Sequence, residues 1–230
     1  MPSTPAIILL LVAAQDWETR IYAEGPEDLV RRLGTSDRRE REVAEERLLL
    51  HGTDSVDPLR RAAEGTDAAV RPQARRIHIE LRRRLHVLDR HRARDAAALT
   101  ELRAVESWAM RQLERAAYSA SDERSRAVEV DALARLRGMN AAQAWSQVLL
   151  QQKPIALELK DGSTLSDFAR VFELKTGVTV RFAETVSPDR TVRMKIGGAP
   201  GSTVLMLLLG PRDLAYSIAA DGGVVVRPRG

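Results

Sequence analysis

The chain has 230 residues, enough for one or two domains. Its apolar fraction of 44% supports a buried core, and aromatics at only 4% make that core aliphatic. Charge is abundant but nearly balanced, 36 basic against 32 acidic residues for a net +4, which by itself does not point to a polyanionic partner. The absence of cysteine excludes disulfides, thiolate metal sites and cysteine nucleophiles together.

The N-terminus carries an uninterrupted apolar run, Ala6–Ala14. A bilayer-spanning helix needs about 20 such residues, so this run has instead the length of the apolar region of a signal peptide. Val12 and Ala14 stand where small residues precede a cleavage site, and polar Gln15 and Asp16 follow. No lysine or arginine precedes the run. The expectation is a signal peptide over residues 1–14 and export to the periplasm or beyond; the competing reading is a short buried element in a cytoplasmic protein.

Residues 26–152 read as a helical body. Leu29, Val30 and Leu33 mark a short helix ended by Gly34, and Arg38–Leu50 follows with Val43, Ala44, Leu48 and Leu49 on one stripe. After Gly52, a short segment carries Val56, Leu59, Ala62 and Ala63. After Gly65, Val70, Ala74, Ile77, Leu81, Leu85 and Leu88 recur at a period near the helical repeat. This short-long-short-long alternation, carried by Leu29, Leu33, Ala44, Leu48, Gly52, Leu59, Ala62, Val70, Ala74 and Leu81, resembles a pair of HEAT-like helical hairpins, which implies a scaffold surface. Further helices are expected over Ala96–Tyr118, Asp122–Arg137 and Ala141–Gln152. Trp108 and Trp145 are read as core residues, Gly138 as a stop and Asn140 as a cap.

The strongest charge feature is the stretch Arg71–Arg94, with nine arginines and His78, His86 and His91 among them. Arg75, Arg76, Arg82, Arg83 and Arg84 could form a phosphate-binding face for nucleic acid in a cytosolic protein. The balance favours a solvated helix whose arginines shield the core and pair with an acidic helix at Glu40, Glu42, Glu45 and Glu46, which makes nucleic acid an unfavoured partner. The histidines, spaced eight and five apart, do not stack on one helix face, so no metal site is expected.

All four lysines, Lys153, Lys160, Lys175 and Lys195, fall in the last third of the chain. This shift in composition, with Pro154 at its edge, is taken as a domain boundary. Residues 154–230 then read as a βαββαββ module. A strand over Ile155–Leu159 is followed by a helix capped by Thr164 and closed by Gly177, then a strand at Val178–Phe182. A strand through Val192, Met194 and Ile196 leads to a loop at Gly197–Gly201 and a helix capped by Ser202. Two strands around an Asp221-Gly222-Gly223 turn complete it. Leu159, Leu165, Phe168, Phe172, Thr176, Gly177, Val180, Val192, Ile196, Leu205, Leu208, Leu209, Leu214, Tyr216, Gly222 and Val225 carry a resemblance to the secretin/TonB short N-terminal domain. That resemblance implies a periplasmic protein–protein contact module without catalysis. It sits here at the C-terminal end with no secretin or barrel segment after it, which implies an accessory role at an envelope secretion or transport assembly.

The fold class expected is therefore α+β: an all-α helical-hairpin body followed by a small βαββαββ module. Such a module is expected to form a small sheet with helices on one face, leaving strand edges for a partner. Arg181 and Arg193, opposite Val180, Phe182, Val192 and Met194, are the expected contact residues. No GxSxG, phosphate loop or HExxH is present, and no cofactor or enzymatic activity is expected. Gly197–Gly201 is read as a plain loop, since Pro200 removes one amide donor from any anion cradle.

Overall fold

The computed structural model describes residues 24–229. The apolar run Ala6–Ala14, and with it the expected signal peptide, lies outside the described residues. The chain divides into two compact units, Met1–Trp108 and Ala109–Gly230. The shift at Lys153-Pro154 thus falls inside the second unit, and the helical run 26–152 is split at 108/109.

In the first unit, α1 (Pro26–Arg32), α2 (Arg38–His51), α3 (Val56–Glu64), α4 (Arg71–Arg92) and α5 (Ala96–Arg103) follow one another, with a 3-10 turn over Gly52–Ser55. α1 packs on α2 and α3 on α4. The helix ends follow local chemistry. Asp37 accepts from the Arg39 amide to start α2, Gly52 at φ 59° ends it, and Asp95 caps α5 through the Ala97 amide. Leu29, Leu48, Leu59, Ala74, Ile77, Leu81 and Leu88 form a dry core, as the α4 periodicity requires. Leu85 is only half-buried, and Val87 takes a buried place beside Leu88. Trp108 is buried, donates from Nε1 to the Leu49 carbonyl at 2.7 Å and lies under the Arg84 guanidinium.

The helix expected over Ala96–Tyr118 is two: α5 ends at Arg103 and α6 spans Glu106–Ser119. The Val105 amide bonds back only three residues, to Leu102, and this tighter turn closes α5 without a glycine or proline to announce it.

The second unit continues with α7 (Glu123–Arg137), capped by Asp122 and closed by Gly138 in the left-handed conformation, and α8 (Ala141–Gln152), opened by an Asn140–Gln143 capping box. Trp145 is half-buried under the Arg126 guanidinium, 5.2 Å from the ring centre. Val128 is exposed, so the α7 stripe is Val130, Leu133 and Leu136. Then come β1 (Pro154–Leu159), α9 (Leu165–Thr176), β2 (Val180–Phe182), β3 (Met194–Pro200), α10 (Gly201–Leu209), β4 (Leu214–Ile218) and β5 (Val224–Pro228). The order is βαββαββ, but the strands form two sheets rather than one. β1 pairs antiparallel with β3, while β2, β5 and β4 form a mixed sheet in that order.

β3 runs through the segment expected to be a loop. Ile155 faces Ala199 and Ala156 faces Gly197, so Gly198 at φ 107° is the extra residue of a bulge. A glycine supplies that backbone angle without strain, and the ladder continues to Pro200. α10 accordingly starts at Gly201 with no side-chain cap, and the Ser202 hydroxyl donates instead to Gln151 Oε1 at 3.3 Å.

Candidate interaction surfaces

In the second unit, β2 is an edge strand: it pairs in parallel with β5, and among the described residues no strand lies on its other side. Its inward residue Val180 is buried, while Arg181 points to solvent. Arg181 is not a free contact residue. Its Nη2 reaches both carboxylate oxygens of Asp221 at 2.6 Å, and Asp221 also accepts from the Gly223 amide at 3.0 Å. The backbone bond, followed by the guanidinium, holds the Asp221 carboxyl below the ordinary carboxylate range. Arg181 thus ties the edge strand to the β4–β5 turn.

Arg193 precedes β3, on the other sheet, in an exposed pair with Asp161 at 3.3 Å. Pairs this open contribute little to stability, so Arg193 remains available to a partner. The two arginines therefore do not belong to one sheet surface. Sequence reasoning missed two large apolar side chains on the module's helices, Leu174 on α9 and Met206 on α10, which are 83% and 62% exposed. Leu174 breaks the helical spacing of Leu165, Phe168 and Phe172, and that offset was the available signal.

The β4–β5 hairpin is fastened to α8. Asn140 Nδ2 donates to the Ala220 carbonyl at 2.8 Å, and Gln143 Nε2 to the Ile218 carbonyl at 3.1 Å. The two residues that cap α8 thereby satisfy hairpin carbonyls as well. The Thr176 hydroxyl makes a similar joint: buried, it donates to the Phe172 carbonyl at 2.8 Å and accepts from the Val178 amide at 3.0 Å, linking the end of α9 to the approach to β2.

In the first unit, most arginines of α4 are satisfied within the chain. Arg83 and Arg84 both bond Glu80, Arg90 bonds Asp95 and Glu101, and Arg92 bonds Asp89. Arg76 pairs with Glu45. Glu45 is the one member of the expected acidic set that the structure pairs with α4; Glu42 pairs with Arg38 on its own helix. Neutralisation is thus mainly local rather than by the facing acidic helix, because carboxylates three to five residues away reach the guanidiniums first. Of the five arginines of the phosphate-face reading, Arg76, Arg83 and Arg84 are engaged, and Arg75 and Arg82 have no partner among the described residues. His78 is held below the ordinary imidazole range by burial, then by Arg82 and Arg60, which favours the neutral ring.

Among the described residues no cluster of histidine and carboxylate side chains could hold a metal ion, and no helix is long and apolar enough to cross a membrane. Compared with family models, with curated proteins and with solved structures, the chain matches none of them.

Proposed function

We propose that this protein is a non-enzymatic interaction protein, exported to the periplasm or beyond, in which a HEAT-like helical body carries a contact module of the secretin/TonB short N-terminal type. The observation that carries the proposal is the β2 edge. A short strand with one side left unpaired among the described residues, anchored through Arg181 and Asp221, offers backbone donors and acceptors to an added strand from a partner protein. The βαββαββ order, the apolar run Ala6–Ala14 and the exposed Leu174 and Met206 support the same reading. Its place is that of an accessory at an envelope secretion or transport assembly.

The test is made in the native host. A photo-crosslinking residue in place of Arg193, or of Thr179, the exposed residue just before β2, is combined with mass spectrometry of the mature N-terminus in separated cell fractions. The expected result is a processed chain starting near Gln15 in the periplasmic or secreted fraction, with a protein adduct at Thr179. An intact N-terminus confined to the cytosol would overturn the export proposal and raise the nucleic-acid reading, to which unpaired Arg75 and Arg82 lend what support it has.

A further inference from the structure

The first unit holds a groove of about 500 Å3 lined by Ala63, Ala68, Arg71, Pro72, Arg75, Arg76 and Ile79. That volume lies within the range of built ligand sites, roughly 300–1,000 Å3. Ala63 comes from the last turn of α3 and Ala68 from the α3–α4 connection, and the first turns of α4 supply the rest.

Two features separate this groove from the remainder of α4. The first is charge left uncompensated. Arg71 and Arg75 are exposed and their guanidiniums have no hydrogen bond or ion pair among the described residues, whereas those of Arg76, Arg83, Arg84 and Arg90 are all paired within the chain. The second is Ile79, 61% exposed and the large apolar side chain left open among the described residues of this unit. Cationic and apolar groups thus share one concave surface.

We propose that this groove binds an extended acidic peptide segment of a partner protein, of the form acid–x–acid–x–apolar. Arg71, Arg75 and Ile79 follow at steps of four residues, so they stand in line on one side of α4, about 5–6 Å apart. In an extended peptide, alternate side chains face the same way and lie roughly 6.6 Å apart, two rises of about 3.3 Å. Two carboxylates at alternate positions therefore match Arg71 and Arg75, and an apolar side chain two residues on meets Ile79 against Pro72, Ala63 and Ala68. Guanidinium–carboxylate bonds are charge-assisted and directional, which fixes the register. A single-stranded nucleic acid has a similar repeat, but it gains from aromatic stacking, and no aromatic side chain lines the groove. The groove belongs to the first unit and the β2 edge to the second, so either proposal can fail without the other.

The experiment selects a displayed library of random dodecapeptides on the full chain and measures synthetic copies of the enriched peptides by fluorescence anisotropy. Oligothymidylate and mixed phosphatidylcholine–phosphatidylserine vesicles serve as parallel probes. The expected result is enrichment of peptides with the acid–x–acid–x–apolar pattern. Arg71→Ala with Arg75→Ala together should weaken their binding by about tenfold or more, Ile79→Ser should weaken it severalfold, and Arg82→Ala should leave it unchanged. The first three side chains are exposed and Arg71 and Arg75 are unpaired, so the variants are expected to fold, which circular dichroism checks. No enrichment of acidic peptides overturns the proposal. So does binding that is indifferent to Ile79→Ser and lost equally in Arg82→Ala, with oligothymidylate or vesicles bound as well as peptide, since that pattern belongs to a general polyanion stripe.

Discussion

Gly222 adopts φ 86° in the turn between β4 and β5, and a Cβ placed there would lie 2.8 Å from Ser146 Oγ and 2.9 Å from the Ala142 carbonyl. Backbone angle and close approach both demand glycine, so Gly222→Ala is expected to destabilise the second unit by about 1–3 kcal/mol, read from urea unfolding. The Asp-Gly-Gly string announced a turn, but not that the turn presses on a helix some eighty residues earlier in the chain; that closeness is tertiary and leaves no local mark. The neighbouring Asp221 gives a pH prediction. Its folded carboxyl is held below its unfolded value by the Gly223 amide and then by Arg181. It therefore contributes stability that is present above about pH 4, the ordinary unfolded range, and lost as pH falls through the lower folded value. Asp221→Asn should lower the urea midpoint at neutral pH, and the gap from the parent protein should close on acidification. A constant gap across the acid range would assign the effect to something other than the charge.

At the scale of elements, the ends of helices were the most legible features. Asn140 and Gln143 form the capping box of α8, Thr164 and Asp167 that of α9, and Gly138 and Gly177 take the left-handed closing position, each for reasons contained within four residues of chain. The break between α5 and α6 was not legible, because Ala104 and Val105 are compatible with a continuing helix and the interruption comes from a single tightened turn. The extension of β3 was hidden for the opposite reason: Gly-Gly-Ala-Pro-Gly has the composition of a loop, and only pairing with β1 makes Gly198 a bulge. Of the candidate contacts, Arg181 is exposed on β2, yet its bond to Asp221 depends on a turn forty residues away. Within α9, Phe168 and Phe172 are fully buried with ring centres 5.2 Å apart, and the space above Gly201 is closed by Phe172 and Leu150. Phe172→Ala should therefore cost about 3–5 kcal/mol, with Gly201 unable to fill the void. A loss below about 1 kcal/mol in chemical denaturation would mean that the surrounding helices collapse onto the site.

For the molecule as a whole, the change in lysine usage at residue 153 suggested a border that the packing does not share. Composition reports the surface, since lysine is a surface residue, whereas a compact unit is defined by what its interior touches. α8 is joined to the chain beyond it by the bonds of Asn140 and Gln143 to the hairpin carbonyls, the bond of Ser202 to Gln151, the approach of Gly201 to Leu150 and that of Gly222 to Ser146 and Ala142. A fragment of residues 154–230 loses all of these and leaves the Ala220 and Ile218 carbonyls without their side-chain donors. It is expected to unfold at lower urea than the full chain, over a broader transition, with amide exchange fastest in β4 and β5. A fragment of residues 106–230 begins between α5 and α6, keeps α8, and should retain slow exchange in the same strands. The comparison turns on the hairpin amides. Equal protection in both fragments would make the strands self-sufficient and return the border to Pro154; protection confined to the longer fragment would make α8 a structural part of the proposed contact module, whose surface would then include the helix as well as the strand edge.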